Sequence, residues 1–328
     1  MGERLGNFGG DEKTASVISE ATVANPWFLA GDIKQAVQAL CEDMLTERIL
    51  EKWLSGYEVA AEARKVAVIM AGNIPLVGFA DLMYVIAAGH IPCIKPSSKD
   101  TVLMRHVIAE LRNIAPEIKI YDYDDTNEYD AVIATGSDNS GRYFRSRFGT
   151  IPALIRGSRG SVAVLSGKES EHDLKLLQKD IFSYSGLGCR NVSMIFIPEE
   201  YDTERLGTAI APDTASINPK YYNNYRRTKG ELAAAGIGYT DCGTFVMTEG
   251  DTFPVSLSDI VLYRYSDMAV VEQWIAGHDT QLQCIVSYCV RHPRAVPFGC
   301  AQHPAPWDYP DSIDVMEFLT GLSNTVRK

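Results

Sequence analysis

The residues best able to do chemistry stand singly, at turns. Cys189 lies in "SGLGCRNVS", after Gly186 and Gly188 and ahead of the apolar run "VSMIFIP". Glycines there let the backbone turn sharply and let a ligand approach, and Arg190 next door could lower the thiol's pKa. The same cysteine could equally be a small buried filler, the common fate of the residue. Cys93, inside a strand-like run, and Cys41, inside a helical one, read as core. Asn73 in "AGNIP" follows an apolar run and precedes a helical one. Its amide either donates to a developing oxyanion or caps the helix. Lys95 ends "IPCIK", at the strand end where α/β sheets take ligands. It can hold ribose hydroxyls or a phosphate, or simply sit solvated in a loop. Gly136 and Ser137 in "ATGSDNSG" stand at a strand end before a helix, a ready anion site. Cys284, Cys289, His292 and Cys300 invite a metal reading, but their spacing fits no familiar zinc pattern and none is expected. Neither G-x-G-x-x-G nor G-x-S-x-G occurs.

The elements that must position these residues alternate. "KVAVIM" (65–70), "IPCIK" (91–95), "IKIYDY" and "YDAVIAT" read as buried strands. "FADLMYVIAAG", "TVLMRHVIAELRNI" and "GSDNSGRYFRSRFG" read as the helices between them. Strand–helix alternation predicts an α/β fold with a Rossmann-type parallel sheet. After "IRGSRGSVAVLSG" a second α/β unit begins, running through a helix from Glu169 to Ser183, the Cys189 turn, "VSMIFIP", "IVLYRYSD", "MAVVEQWIAGH" and "LQCIVSYCV". "PWFLAGDIKQAVQALCEDMLTERILEKWLSGY" reads as one long helical stretch. Residues 1–25 are expected to be flexible. Residues 26–158, with part of the tail 300–328, form the expected cofactor domain, and 159–299 the domain carrying the cysteine. The polar, tyrosine-rich stretch 200–245 yields no clear pattern.

The bulk numbers bound the partners. The chain has 328 residues, 46% hydrophobic and 22% charged, with a net charge of -11. That acidity argues against nucleic acid. The apolar stretch 66–94 carries Asn73, Pro75, Asp81, His90 and Pro92, so no membrane span is expected there. Seven cysteines without a disulfide pattern and a polar start point to a reducing, cytoplasmic setting.

The order "AGNIPLVG…KPSSKD", "AVIATGSDNSG", "IRGSRG", "GLGCRNVS", "VPFG" resembles the aldehyde dehydrogenase superfamily, and within it the LuxC-like acyl-CoA reductase branch. The likeness runs from about Trp27 to the end. It implies a catalytic cysteine at Cys189 and an oxyanion-hole asparagine at Asn73. It implies a segment touching the adenosine ribose at Lys95, Pro96 and Ser97, and a turn beside the cofactor pyrophosphate at Gly136 and Ser137. "TFPVS" is similar to the segment whose acid holds the nicotinamide ribose. Here that acid is Glu249 or Asp251, with Phe253 beside it. "VPFG" (296–299) is similar to the superfamily's C-terminal "PFGG". Where hydrolytic members carry a water-activating glutamate, this chain has Arg156, which cannot serve as a base. Arg156, Arg159 and Arg190 become candidate contacts for CoA or cofactor phosphate. The resemblance implies reduction of a fatty acyl-CoA by NADPH, or by NADH, through an acyl-cysteine. It also implies a homodimer and an acyl-supplying partner enzyme. Another acyl donor, or a silent scaffold role, stands as the alternative.

Overall fold

Buried β-branched runs pair side by side when helices cover both faces, and five such strands form the first sheet. A computed structural model describes residues 1–322, with only the backbone of Asp138. Its elements in chain order are α1 Gly2–Leu5, α2 Glu12–Ala24, α3 Ala30–Ala39, α4 Glu47–Leu54, β1 Lys65–Ile69, α5 Phe79–Ala87, β2 Ile91–Lys95, α6 Thr101–Ile114, β3 Tyr121–Asp122, β4 Ala131–Thr135, α7 Asp138–Phe148 and β5 Ala153–Arg156. The sheet runs β3-β2-β1-β4-β5, parallel throughout. Val66, Val68, Met70 and Ile133 point to the face that holds α5 and α6, while Ala67, Ile69, Val132 and Ala134 face the other way. Both faces are dry, which is why β1 and β4 read as unbroken apolar runs rather than alternating ones.

The chain divides into two units, Met1–Ser158 with the tail from Pro304, and Arg159–His303. The second unit holds β6 Gly160–Val164, α8 Glu171–Phe182, β7 Val192–Pro198, α9 Thr203–Ile210, α10 Pro219–Ala235, β8 Thr240–Asp241, β9 Val246–Glu249, β10 Asp259–Tyr265, α11 Met268–Gly277, β11 Leu282–Val286 and β12 Ala295–Val296. Its sheet order is β12-β11-β6-β7-β10-β9-β8, parallel except at β8–β9. α12, Val315–Gly321, returns to the first unit's core through Val315, Met316 and Leu319. The last six tail positions assigned to the cofactor domain, 323–328, lie outside the described residues.

Three expectations change. Residues 1–25 are not loose: Leu5, Ile18 and Ala21 are buried, and Arg4 and Lys13 reach Glu110 of α6 at 2.9 and 2.7 Å. Hydrogen bonds from Lys13 and Arg4 hold the Glu110 carboxyl down at about 2. That docking depends on a partner about a hundred positions away, which local pattern cannot reveal. The long helical stretch breaks into α3, a π-helical turn at Leu40–Met44 and α4. The strand expected at "IKIYDY" pairs only over Tyr121–Asp122, at the sheet edge. Among the described residues no helix is long and apolar enough to cross a membrane.

Candidate functional sites in the two units

In the first unit the predicted residues gather at the carboxyl ends of the strands. β1 and β4 are neighbours in the sheet, and their crossovers, through α5 to β2 and through α7 to β5, lead to opposite sides of it. Their carboxyl ends therefore form the switch point where parallel sheets take ligands. The loop after β1 carries Asn73. α5 starts at Phe79 with Gly78 at its cap position, so Asn73, five residues earlier, is not its cap. Lys95 ends β2, exposed, with its ammonium 5.1 Å from the Tyr123 ring centre. Pro96 and Ser97 follow, half-buried. Gly72 packs so closely on Ser97 that a Cβ there would meet the Ser97 Cβ at 2.5 Å, so only glycine fits. Gly136 follows β4 and donates its N–H to the Arg156 carbonyl at 3.2 Å. Ser137 caps α7 through the Ser140 N–H.

Arg156 differs from the sequence expectation in its surroundings. It is 3% exposed and pairs with Asp81 of α5, itself 4% exposed, at 2.7 Å. Burial opposes its charge, but the Asp81 carboxylate outweighs this and holds the guanidinium above its ordinary range. Nε and Nη2 of Arg156, and Oγ1 of the neighbouring Thr135, are buried without a hydrogen-bond partner among the described residues. Thr135 and Arg156 are register partners on adjacent parallel strands, so both side chains leave the same face. Polar capacity is thus left over at the end of β4 and β5.

In the second unit Cys189 is exposed, on the turn between α8 and β7. The approach to it is strained. Tyr184, Ser185 and Gly186 take φ of 54°, 56° and 70° in succession. Non-glycine residues in that region cost about 1–2 kcal/mol each. The turn persists because Asn191 ties it. Its Nδ2 donates to the carbonyls of Asp180, Ile181 and Ser183 at 3.2, 3.1 and 3.0 Å, and its Oδ1 accepts the Gly188 N–H at 2.8 Å. Ser161 Oγ donates to the Cys189 carbonyl at 2.8 Å. Arg190 directs Nε to the Ala301 carbonyl and Nη2 to the Cys284 sulfur at 3.7 Å. Its charge is thus engaged with the core of this unit. Asp180 accepts the N–H groups of Gly299 and Ala301 at 2.6 and 3.0 Å, and burial pushes its carboxyl up to about 6. "VPFG" is therefore stapled to α8, and Gly299 at φ 82° needs to be glycine.

The remaining predicted residues split. Glu249 ends β9 with its carboxylate paired to Arg264 at 2.9 Å. Asp251 is exposed, and its carbonyl accepts the Trp274 Nε1–H at 2.8 Å. The Phe253 ring lies on Gly160 and edge-on to Trp274, with centroids 5.6 Å apart. Arg159 donates to the Leu282 carbonyl at 3.1 Å. Cys284 is buried in β11 while Cys289 is exposed, and among the described residues no group of three or more His, Cys, Asp or Glu is placed to hold a metal. Sequence reasoning passed over Asp81, Asp100, Asp180 and Asn191, because a buried polar residue announces itself only through partners brought by folding.

No family model matches the chain, and no curated protein matches it. Solved structures do. Aldehyde dehydrogenase 21 from Physcomitrella patens, in complex with the product succinate, matches at 12% identity and a TM-score of 0.63, over 98% of this chain and 82% of that one. Glyceraldehyde-3-phosphate dehydrogenase from Methanocaldococcus jannaschii, complexed with NADP, matches at 12% and 0.60, over 83% and 72%. A propionaldehyde dehydrogenase mutant from a Clostridium phytofermentans microcompartment matches at 9% and 0.56, over 84% and 74%. The fold of this chain is α/β and aldehyde-dehydrogenase-like.

Proposed function

We propose that this chain is an NAD(P)H-dependent acyl-CoA reductase that works through an acyl-cysteine on Cys189. The fold supports an oxidoreductase acting on aldehyde or acyl groups, and the neighbours include a propionaldehyde dehydrogenase. The observation that carries the finer reading is the Arg156–Asp81 pair. The resemblance puts a water-activating glutamate at or next to the position of Arg156. A guanidinium held by a buried carboxylate takes no proton from water. A thioester on Cys189 would then be spared hydrolysis.

The chain's own residues divide the work. The Cys189 thiolate attacks the thioester carbonyl, and CoA leaves as its thiol. The resemblance gives the oxyanion two donors, the Asn73 amide and the Cys189 backbone N–H. Lys95, Gly136 and Ser137 would hold the nicotinamide cofactor, and Thr135 Oγ1 with Nε and Nη2 of Arg156, which have no hydrogen-bond partner among the described residues, fit a polar ligand there. The chemistry the nicotinamide supplies when bound is hydride donation to the acyl carbon. Glu249 is engaged with Arg264, so Asp251 is the better candidate for the nicotinamide ribose. NADPH is the favoured cofactor. The acidic run "YDYDD" (121–125) would disfavour a 2′-phosphate, but its Asp122 is already paired to Arg105 at 2.5 Å, which softens that repulsion.

Incubation with an acyl-CoA and intact-mass measurement tests the reading. An adduct of one acyl group is expected, located at Cys189 and absent from Cys189→Ala. Cofactor absorbance with acyl-CoA, acyl-phosphate and short-aldehyde donors then ranks the substrates. No adduct and no oxidation with any donor would point to a silent relative.

A further inference from the structure

Asp100 opens α6, but its side chain makes no bond to that helix. An aspartate at this position ordinarily accepts one of the helix's first amides. Asp11, Asp202, Asp267 and Asp314 all do so in this chain. Asp100 instead reaches across to the loop after β1, where its Oδ2 accepts the Leu76 N–H at 2.9 Å. Leu76 stands at φ 58°, a strained conformation for a branched side chain. Asp100 is 2% exposed, and its second oxygen has no hydrogen-bond partner among the described residues. Burial pushes its carboxyl up to about 8, relieved only by the Leu76 bond. A buried carboxylate that gives up its own cap and gains one amide bond is a local loss, the kind that proteins retain where function demands it.

The other end of the loop rests on the same turn. Gly72 lies against Ser97, and a Cβ there would also come within 3.2 Å of the Asp100 Cβ. The Leu76 carbonyl accepts the Phe79 N–H at 2.9 Å, tying the loop to α5. Asn73 therefore stands between two points, Gly72 and Leu76, both set by the Ser97–Asp100 turn.

We propose that Asp100 is a positioning residue: through the Leu76 amide it fixes the strained loop that aims Asn73 at the developing oxyanion. The proposal rests on the reductase reading for the role of Asn73, but not for the latch itself. Two measurements separate the two. Hydrogen exchange at the Leu76 amide reads the latch without activity. It is expected to be protected in the wild type and in Asp100→Asn, which keeps an acceptor, and to lose at least about tenfold protection in Asp100→Ala. Unchanged protection in Asp100→Ala would overturn the proposal even if the enzyme turned over no substrate. With acyl-CoA, Asp100→Ala should lower kcat about tenfold or more with little change in KM, and Asp100→Asn should restore it. In an Asn73→Ala background, Asp100→Ala should slow turnover no further, because its effect passes through Asn73. An additive loss in the double variant would overturn the positioning role. A wild type inert to all acyl donors, with the Leu76 protection pattern intact, would instead sink the reductase reading and leave the latch standing.

Discussion

Two turns in this chain carry the candidate chemistry, one in each unit, and each is held in a strained shape by a single buried polar side chain. The Cys189 turn is held by Asn191, a neutral amide with every hydrogen-bonding group in use. The Asn73 loop is held by Asp100, a carboxylate with one bond to the loop and one idle oxygen. A satisfied amide is indifferent to pH and costly only to remove. A carboxylate in the same surroundings is costly to keep charged and answers to pH. The Cys189 turn is thus built for permanence, and the Asn73 loop for conditional order.

The largest expected break is at Cys189, the proposed nucleophile. Cys189→Ala should abolish the acyl adduct while leaving the melting temperature within a few degrees, since the residue is exposed. An adduct that survived the change would remove Cys189 from the mechanism. Next comes Asn191→Leu, which removes the donor to the Asp180, Ile181 and Ser183 carbonyls and the acceptor of the Gly188 N–H. A loss of about 3–5 kcal/mol in denaturant unfolding is expected. A loss under about 1 kcal/mol would mean that the strained turn holds itself.

The pH response is the third and sharpest contrast. Burial pushes the Asp100 carboxyl up to about 8 in the folded chain, against an ordinary 3.8. Between those values the folded state holds a proton that the unfolded chain has released. Stability contributed by this site is therefore full below the ordinary carboxyl value and falls as pH rises toward 8. Asp180, raised to about 6, acts in the same direction over the lower part of that window. Asp100→Asn should flatten the upper part of the stability curve, and Asn191→Gln should leave the shape of the curve unchanged. Parallel curves for wild type and Asp100→Asn between pH 6 and 8 would contradict the burial of that charge. The smallest effect is expected from Ser161→Ala, which removes one donor from the Cys189 carbonyl. A loss of about 1 kcal/mol is anticipated, with adduct formation retained but slower.

Much of the first unit was readable in one dimension. α6 spans Thr101–Ile114, the whole of "TVLMRHVIAELRNI", and β2 spans "IPCIK", because Val, Ile and Leu at fixed periods leave little choice of element. Position was legible where a residue's place along the chain sufficed: Lys95 does end a strand, and Cys189 does stand exposed on a turn. It was illegible where the partner is distant in sequence. Asp100 and Leu76 are 24 positions apart, and Arg156 and Asp81 are 75 apart. α10 escaped notice for another reason. Its 17 residues bury only Tyr221, Tyr225 and Thr228, so no apolar stripe marks it.

Amino-acid order alone therefore determined the alternation of strands and helices, the strand ends where ligands can sit, and the residue types offered there. Local sterics and hydrophobic period act over a few residues and need no tertiary context. Only the tertiary structure decided which polar groups are buried and what they hold. It turned Arg190 toward the core, locked Arg156 to Asp81, and gave Asp100 a neighbouring loop instead of its own helix. Those outcomes follow from desolvation, which is set by everything that packs around a group and not by the residues beside it in the chain.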